Sequence, residues 1–188
     1  MKKKLFLITL FFSLHSTTHC QLQVDTSLSK ALSPAGDSNP NKIFKNFTAK
    51  SADGNTYTTA NLKNKITFIN FWMEACAPCI AEFEPLNSLY IKYKKDSNFQ
   101  FLSFTFETTE TILRISEKYK LKYPILLVER DSIYNLIFNL GFPTNMITDK
   151  SGKICFIVSG GFNEIENAQK VVDTIFSKEI ERQLLRAD

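Results

Sequence analysis

The spacing of apolar residues along the chain predicts alternating strands and helices. Ile66 to Trp72 is an apolar run that is long enough for a buried strand and too short for a helix, and Phe99 to Phe106 is strand-like as well. Between them, Ala77 to Lys95 shows helical spacing. The apolar residues of this helix are Ile80, Phe83, Leu86, Tyr90 and Tyr93. A strand, a helix and a second strand in this order indicate parallel pairing.

Two β-hairpins are predicted, one before and one after this unit. Asp53-Gly54 is a strong turn signal in the first hairpin. Asp149 to Gly152 forms the turn of the second. The strands run over 44–50 and 56–59 in the first hairpin and over 146–148 and 154–158 in the second. Because hairpin strands are antiparallel, the central sheet is expected to be mixed.

Three further helices complete the pattern. One runs from Thr108 to Tyr119, with a Thr cap and Glu110 in its first turn, and a short one spans Asp131 to Leu140. The last helix opens with Asn163 followed by Glu166, in the manner of a capping box. The order of elements predicts an α/β fold with a mixed central sheet and helices on both faces.

The first twenty residues differ from the rest of the chain. Met1 to Lys4 is basic, Leu5 to Leu14 is mostly apolar, and Ser16 to Cys20 is small or polar, which is the layout of a secretory signal peptide. The apolar run is shorter than the roughly 20 residues that span a bilayer. We therefore expect export to the periplasm or cell envelope; the alternatives are an uncleaved anchor or an N-terminal core helix.

Removing residues 1–20 changes what the composition implies. Residues 21–40 are polar, which predicts a flexible linker before a single domain over 41–188. Three of the 23 basic residues lie in the signal, and the other 20 nearly balance 19 acidic residues, so we infer no nucleic-acid partner. Both histidines, His15 and His19, also lie in the signal, which excludes histidine chemistry in the exported domain.

Two of the four cysteines lie outside the central motif. Cys20 stands where a signal would be cut and is a candidate for lipidation, but Thr17-Thr18-His19 is a poor match to a lipoprotein signal. Ordinary cleavage near Thr18 to Cys20 is the alternative. Cys155 lies inside an apolar strand, and we predict a buried core residue there.

The other two cysteines, Cys76 and Cys79, stand where a predicted buried strand ends and a helix begins. The unpaired N–H groups and the dipole of a helix N-terminus favour a thiolate at Cys76. Cys79 follows one turn later, where it can attack a mixed disulfide formed by Cys76. Pro78 suits a first turn, because its missing N–H would have no partner there. The pattern predicts redox chemistry.

Three alternatives compete with a redox role. A zinc site needs about four ligands, and Cys155 is the only other cysteine of the domain. A purely structural disulfide would close a loop too small to constrain much of the chain. The third alternative is a chance pair of buried thiols. We expect neither a metal nor a cofactor.

These residues resemble the thioredoxin superfamily and, more closely, the exported thiol–disulfide reductases of the TlpA/ResA type. The resemblance covers about residues 41–180 and implies a thioredoxin-like three-layer sandwich with an N-terminal β-hairpin. The motifs that carry it are Asn70-Phe71-Trp72, Cys76-Ala77-Pro78-Cys79, Glu82, Gly141-Phe142-Pro143-Thr144 and the turn Asp149 to Gly152. Asn70 stands where cytoplasmic thioredoxins place a buried Asp.

The chain departs from the family at two places. The family commonly has Trp directly before the first cysteine, and Ala75 stands there instead, which puts the choice of partner in doubt. The family commonly has Pro five residues after the second cysteine, whereas Glu84 occupies that position and Pro85 follows. The second departure bears on the position of a helix kink.

The resemblance also implies roles for individual residues. Glu82 would lie near the sulfurs and shuttle a proton to Cys79; the alternative is a solvated acid, as we expect for Glu84. Pro143 resembles the cis-proline that faces the disulfide in this fold. Trp72, Phe142 and Pro143 would bind substrate, with the backbone at Phe142 pairing with an extended chain.

The resemblance implies a thiol–disulfide oxidoreductase of the reductase type that serves cell redox homeostasis. The absence of His between the cysteines agrees with that direction. Its partners would be protein thiols and disulfides of the envelope, including cytochrome c maturation substrates, and a membrane electron donor. We expect a monomer that meets the membrane only through a lipid on Cys20.

Three rival functions stay open on the sequence. A thiol peroxidase of this layout would have Thr or Ser three residues before the reactive cysteine, where this chain has Met73. A copper-handling module would use two cysteines and a distant histidine, which the exported domain lacks. The third rival is a non-catalytic envelope binding module.

Overall fold

The structure, a computed structural model, describes residues 33–34 and 42–186. Its strands are β1 (Ser33–Pro34), β2 (Thr48–Ser51), β3 (Thr56–Thr58), β4 (Ile66–Phe71), β5 (Phe99–Thr105), β6 (Ile125–Leu127), β7 (Thr144–Thr148) and β8 (Ile154–Ser159). They form one sheet in the order β1-β8-β7-β4-β5-β6-β2-β3. The sheet is mixed, as predicted.

Helices cover both faces of this sheet. They are α1 (Ala77–Tyr93), α2 (Thr109–Tyr119), α3 (Arg130–Leu136), α4 (Ile165–Val171) and α5 (Ser177–Leu185). A short 3-10 helix, Thr59–Leu62, follows β3, and a π-helical turn, Val172–Phe176, joins α4 to α5. The arrangement is the thioredoxin-like sandwich that the sequence predicted.

Strand β4 lies at the centre of the sheet, and all six of its residues are buried. It pairs in parallel with β5 and antiparallel with β7. Parallel neighbours need a crossover connection, which α1 supplies. Because β4 leads directly into α1, the end of β4 and the first turn of α1 meet at one edge of the sheet.

The two faces of the sheet carry separate apolar clusters. On one face, which we call the α1 face, Phe68 and Phe101 pack 5.0 Å apart between ring centroids, beneath α1, α2 and the C-terminal helices. On the other, the α3 face, Phe71 and Phe104 stack at 5.2 Å beneath α3 and the N-terminal segment around Phe44. Alternate residues of each strand point to opposite faces, so a single strand supplies both clusters.

Both predicted hairpins are present. Strands β2 and β3 pair antiparallel, as do β7 and β8. Gly54 and Gly152 in their turns have φ values of 88° and 82°, which residues with a Cβ rarely adopt. These two glycines explain why the turn signals in the sequence were reliable.

Two helix boundaries differ from the prediction. Helix α3 ends at Leu136 and not at Leu140, because Phe138 and Asn139 turn to positive φ and break the helical path. The predicted capping box at Asn163 is wrong. Helix α4 begins at Ile165, and its N-cap residue is Glu164, which makes no side-chain cap hydrogen bond.

Cys155 is less buried than predicted. It lies in β8 and is partly exposed, with its thiol donating to the Ile147 carbonyl oxygen at 3.2 Å. Partial burial raises the pKa of this thiol to about 12, which makes it unreactive at neutral pH. It forms no disulfide in the described part of the chain.

Most of the N-terminal predictions lie outside the described residues, including the signal at 1–20 and Cys20. Within the predicted linker, the backbone of Ser33–Pro34 pairs antiparallel with the outer edge of β8. An edge position suits Pro34, because proline cannot donate to a ladder. No helix in 42–186 is long and apolar enough to cross a membrane.

Candidate active site

The first turn of α1 is built around Cys76 and Cys79, which form a disulfide with their Cα atoms 5.3 Å apart. Cys76 is the N-cap residue, in an extended conformation, and its sulfur accepts a hydrogen bond from the Cys79 N–H at 3.3 Å. Pro78 lies in the first turn, where its missing N–H costs nothing. The loop and helix thus place both sulfurs at the positive end of the helix dipole.

The two cysteines differ in accessibility. Cys76 is 7% exposed and Cys79 is 1% exposed. Ala75 and Ala77, on either side of Cys76, are exposed. The surface beside Cys76 is therefore open, as expected from the replacement of the family's Trp by Ala75.

Glu82 lies three residues after Cys79 on α1, hence on the same side of the helix, and points into the protein. It is 2% exposed, and burial raises the pKa of its carboxyl from the ordinary 4.5 to about 8. Asn145 donates to both carboxylate oxygens, at 3.1 and 3.2 Å, and opposes this rise. The alternative of a solvated surface acid is wrong for Glu82, whereas Glu84 is exposed.

The peptide bond between Phe142 and Pro143 is cis, as the resemblance implied. Pro143 is buried, and its carbonyl oxygen accepts from the Gly160 N–H at 2.9 Å. The Phe142 ring is partly buried and packs edge-on against Phe106 and Tyr134, at 5.9 and 5.8 Å between centroids. These rings hold the start of β7 in place.

The loop after β8 closes over the acid. A Cβ on Gly161 would lie 3.0 Å from Pro143 Cγ and 3.3 Å from both Glu82 Oε1 and Pro78 Cβ. Pro78, Glu82 and Pro143 thus surround one glycine, and only a residue without a side chain fits this approach. Sequence reasoning missed Gly161, although the dipeptide Gly160-Gly161 after a predicted strand was the available signal.

The structure corrects the predicted substrate contact of Trp72. Its side chain is fully buried and packs edge-on against Phe83, with 5.2 Å between the centroids. Its indole N–H has no hydrogen-bond partner among the described residues. Trp72 therefore supports α1 from beneath and cannot touch a partner at the surface.

Three buried polar side chains lie under the site and were not combined by sequence reasoning. Ser103, Asn70 and Asn145 stand side by side on β5, β4 and β7. Ser103 donates to Asn70 at 3.0 Å, Asn70 donates to Asn145 at 2.9 Å, and Asn145 donates to Glu82. The available signal was Asn70 within the mostly apolar strand β4.

Polar and charged groups flank the cysteines at the surface. Glu74 forms an ion pair with Arg114, and its backbone N–H donates to a carboxylate oxygen of Glu107 at 2.8 Å. A groove of about 450 Å³ lies between Ala77 and Lys118. The part of the chain that the structure describes contains no cluster of three or more potential metal ligands.

A helix-capping cysteine pair after a central strand, opposite a cis-proline, defines the class of thioredoxin-fold proteins. The chain belongs to the AhpC/TSA family, whose sequence model matches residues 40–157.

Individual relatives agree with this assignment. The thiol-disulfide oxidoreductase ResA of Geobacillus kaustophilus is 27% identical over 130 residues, which span 69% of this chain and 74% of that protein. A thiol-disulfide oxidoreductase structure from Bacteroides fragilis has a TM-score of 0.61 at 20% identity and covers 75% of this chain and 99% of its own. A thiol:disulfide interchange protein from Chlorobium tepidum has a TM-score of 0.58 at 19% identity, covering 71% of this chain and 94% of its own. The resemblance to thiol–disulfide oxidoreductases of the ResA type is confirmed.

Proposed function

We propose that this protein is a thiol–disulfide oxidoreductase that reduces disulfides of partner proteins, with Cys76 and Cys79 as its redox pair. The observation that carries the proposal is the helix-capping position of Cys76, with Cys79 one turn deeper and less exposed. Such an arrangement presents one sulfur to a partner and keeps the other for the intramolecular step. The ResA and interchange-protein relatives support the same chemistry.

The reaction begins with the reduced pair. The Cys76 thiolate attacks one sulfur of a partner disulfide, forms a mixed disulfide, and releases the other partner sulfur as a thiolate. Cys79 then loses its proton and attacks the Cys76 sulfur. This step closes the Cys76–Cys79 disulfide and releases the second partner thiol. Two electrons pass from the pair to the partner.

Glu82 is proposed to accept the proton that Cys79 loses. Its pKa of about 8 lies close to that of an ordinary thiol, about 8.5, so transfer of the proton from Cys79 to Glu82 changes the free energy little. An ordinary carboxyl would be a far weaker base at neutral pH. Burial of Glu82 is therefore what suits it to this step.

Phe142 and Pro143 are proposed to bind the partner. Their cis peptide bond lies at the start of β7, beside the first turn of α1, and an extended chain could pair with the backbone there. Because Trp72 is buried, we assign it no direct part in binding. The exposed Ala75 leaves room for a bulky partner residue next to Cys76.

We also propose a cellular location and partners for this protein. The signal-like residues 1–20 support export to the periplasm or envelope, with a lipid on Cys20 as one form of anchoring. The partners would be thiol proteins there, including substrates of cytochrome c maturation, and a membrane donor would return electrons to the Cys76–Cys79 disulfide.

Reduction of a test disulfide by the purified, reduced protein tests the activity. We expect wild-type protein to reduce it, Cys76→Ser to be inactive, and Cys79→Ser to accumulate mixed disulfides on Cys76 in cells. Wild-type protein that leaves the disulfide intact but consumes peroxide would contradict the proposal in favour of a thiol peroxidase. Met73, at the position where that rival needs Thr or Ser, is the reason we do not favour it.

A further inference from the structure

The α1 face of the sheet contains a short polar row in an apolar surface. Ser103, Asn70 and Asn145 are direct neighbours on β5, β4 and β7, and all are at most 1% exposed. Apolar residues end the row on both sides, with Ile125 on β6 and Val158 on β8. The row therefore meets no other polar side chain within the sheet.

The hydrogen bonds along this row run in one direction. The Ser103 hydroxyl donates to Asn70 Oδ1 at 3.0 Å, and Asn70 Nδ2 donates to Asn145 Oδ1 at 2.9 Å. Asn145 Nδ2 then donates to both carboxylate oxygens of Glu82. Each amide accepts on its oxygen and donates from its nitrogen, so the orientation of each one is set by its neighbour.

A row of polar side chains buried in an apolar surface calls for an explanation. Polar groups buried among apolar ones destabilise a fold unless they are hydrogen-bonded, and apolar residues at these positions would pack without that requirement. In this row, each amide oxygen accepts one hydrogen bond and each amide nitrogen donates. The last donor, the amide nitrogen of Asn145, bonds to the buried carboxylate of Glu82. The arrangement stabilises a negative charge at Glu82 and at no other point of the row.

The surroundings of Glu82 leave Asn145 as the main source of that stabilisation. Within 42–186, burial raises the pKa of Glu82 and the Asn145 hydrogen bond lowers it. The charge of Glu82 reaches Tyr123, whose pKa is raised by burial and by that charge. Cys76 and Cys79 are held in their disulfide and do not titrate in the oxidised protein. None of these groups brings a positive charge.

We propose that Asn145 is a positioning residue that stabilises the ionised, proton-accepting form of Glu82, and that Asn70 and Ser103 fix the Asn145 amide in the donating orientation. This inference rests on the proposed function, since Glu82 must be ionised to accept the proton of Cys79. If the Asn145 amide flipped, its oxygen would face the carboxylate and repel it. The hydrogen bonds from Asn70 and Ser103 oppose this flip.

Replacement of Asn145 tests the proposal through the protonation of Glu82 itself. The pKa of Glu82 is read in oxidised protein from the 13C resonance of its carboxyl carbon, which Glu82→Gln removes and so assigns. Asn145→Val removes the donor and keeps a shape that suits a strand. We expect it to raise the pKa of Glu82 by about 1, as for the loss of one hydrogen bond to a charged group. Asn145→Thr, which retains a hydroxyl donor, should recover part of the change.

Ser103→Ala and Thr148→Val complete the design. Ser103→Ala removes only the far end of the row and should raise the pKa of Glu82 by a smaller amount. Thr148 is a fully buried residue of the same strand β7, but its side chain points to the α3 face, so Thr148→Val should leave the pKa unchanged. Ser103→Ala decides the question if Asn145→Val does not fold.

The outcomes separate this inference from the proposed function. A pKa of Glu82 that is unchanged in Asn145→Val, or in Ser103→Ala if only that variant folds, overturns the positioning role. A raised pKa together with a shift of the disulfide-exchange pH profile to higher pH supports both. A raised pKa in a protein whose wild type exchanges no disulfide supports the positioning role and overturns the proposed function.

Discussion

The two faces of the central sheet, at the edge nearest the cysteines, are made from different kinds of side chain. On the α3 face, Phe71 and Phe104 stack, and Phe104 also packs edge-on against Phe47 with 5.0 Å between centroids. At the same level on the α1 face, the neighbouring positions of the same strands are Asn70 and Ser103. One residue step along β4 or β5 therefore separates aromatic packing from a hydrogen-bonded row.

The two faces of the sheet therefore contribute differently to stability and to chemistry. The α3 face removes apolar area from water and stabilises the fold. The α1 face gives up part of that stabilisation near the cysteines and places polar groups under Glu82 instead. Because the strands are shared, the packing of one face keeps the other in register, so stability and proton chemistry are expected to respond to different substitutions.

The largest effect is expected from truncating the aromatic face. Phe104→Ala removes a fully buried ring that contacts Phe71 and Phe47 and should lower the free energy of unfolding by about 3–5 kcal/mol. The pKa of Glu82, measured below the unfolding temperature, should not change. Denaturant unfolding and carboxyl-carbon NMR check the two parts. A change in the pKa of Glu82 would break the proposed division between the faces.

The next effect concerns chemistry and not stability. Glu82→Gln keeps the shape of the side chain and removes its titration, so we expect resolution of the mixed disulfide to slow by about 100-fold, as for the loss of a general base. The pH dependence of exchange should flatten, with little change in stability at pH 5. Stopped-flow measurement of the resolution step checks this.

Glu84→Gln is the matched control for that experiment. Glu84 lies on the same helix, two residues further on, but is exposed. It should change neither the rate nor the pH profile. Equal rates in wild type and Glu82→Gln would mean that the buried acid takes no part in proton transfer.

Much of this architecture could be predicted from local signals. The buried run of β4, the helical spacing of α1 and the two cysteines between them lie within one short stretch, and the glycine turns mark both hairpins. In these places a residue's structure depends mainly on its neighbours in the chain. The fold class and the position of the cysteine pair followed from them.

The polar row could not be predicted in this way. Asn70, Ser103 and Asn145 lie far apart in the sequence and meet only because β4 pairs with β5 and β7 in one particular register. The burial of Trp72 and the close approach of Gly161 also depend on how distant elements pack. The Asn163 cap also failed, since helix α4 begins at Ile165 with Glu164 as its N-cap residue.

A further effect is a pH dependence of stability that belongs to the α1 face alone. The pKa of Glu82 is raised in the folded state. The contribution of this shift to the free energy of unfolding is therefore fully present below pH 4.5 and is lost as the pH rises towards about 8. Over that range, each pH unit should lower the free energy of unfolding of oxidised wild-type protein by at most about 1.4 kcal/mol. Residues 42–186 contain no histidine, so few other groups titrate in this pH range.

Chemical denaturation of wild type and Glu82→Gln between pH 5 and pH 8 measures this contribution. The variant should be less sensitive to pH and more stable than wild type at pH 8. Parallel curves for the two proteins would show that Glu82 does not carry a raised pKa. That result would remove the main difference that we draw between the two faces.

The smallest effect is expected from the loop that covers the acid. The methyl group of Gly161→Ala would come within 3.0 Å of Pro143 Cγ and 3.3 Å of Glu82 Oε1, so the loop must shift outwards. We expect a loss of about 1 kcal/mol in the free energy of unfolding, as for a slightly overpacked site. Because water would then reach Glu82 more easily, its pKa should fall towards the ordinary value.

Gly141→Ala is the control, since its methyl group would meet only Ser159 Oγ at 4.0 Å. Unfolding and carboxyl titration of both variants measure the effect, and identical behaviour of the two would mean that Gly161 does not seal the acid.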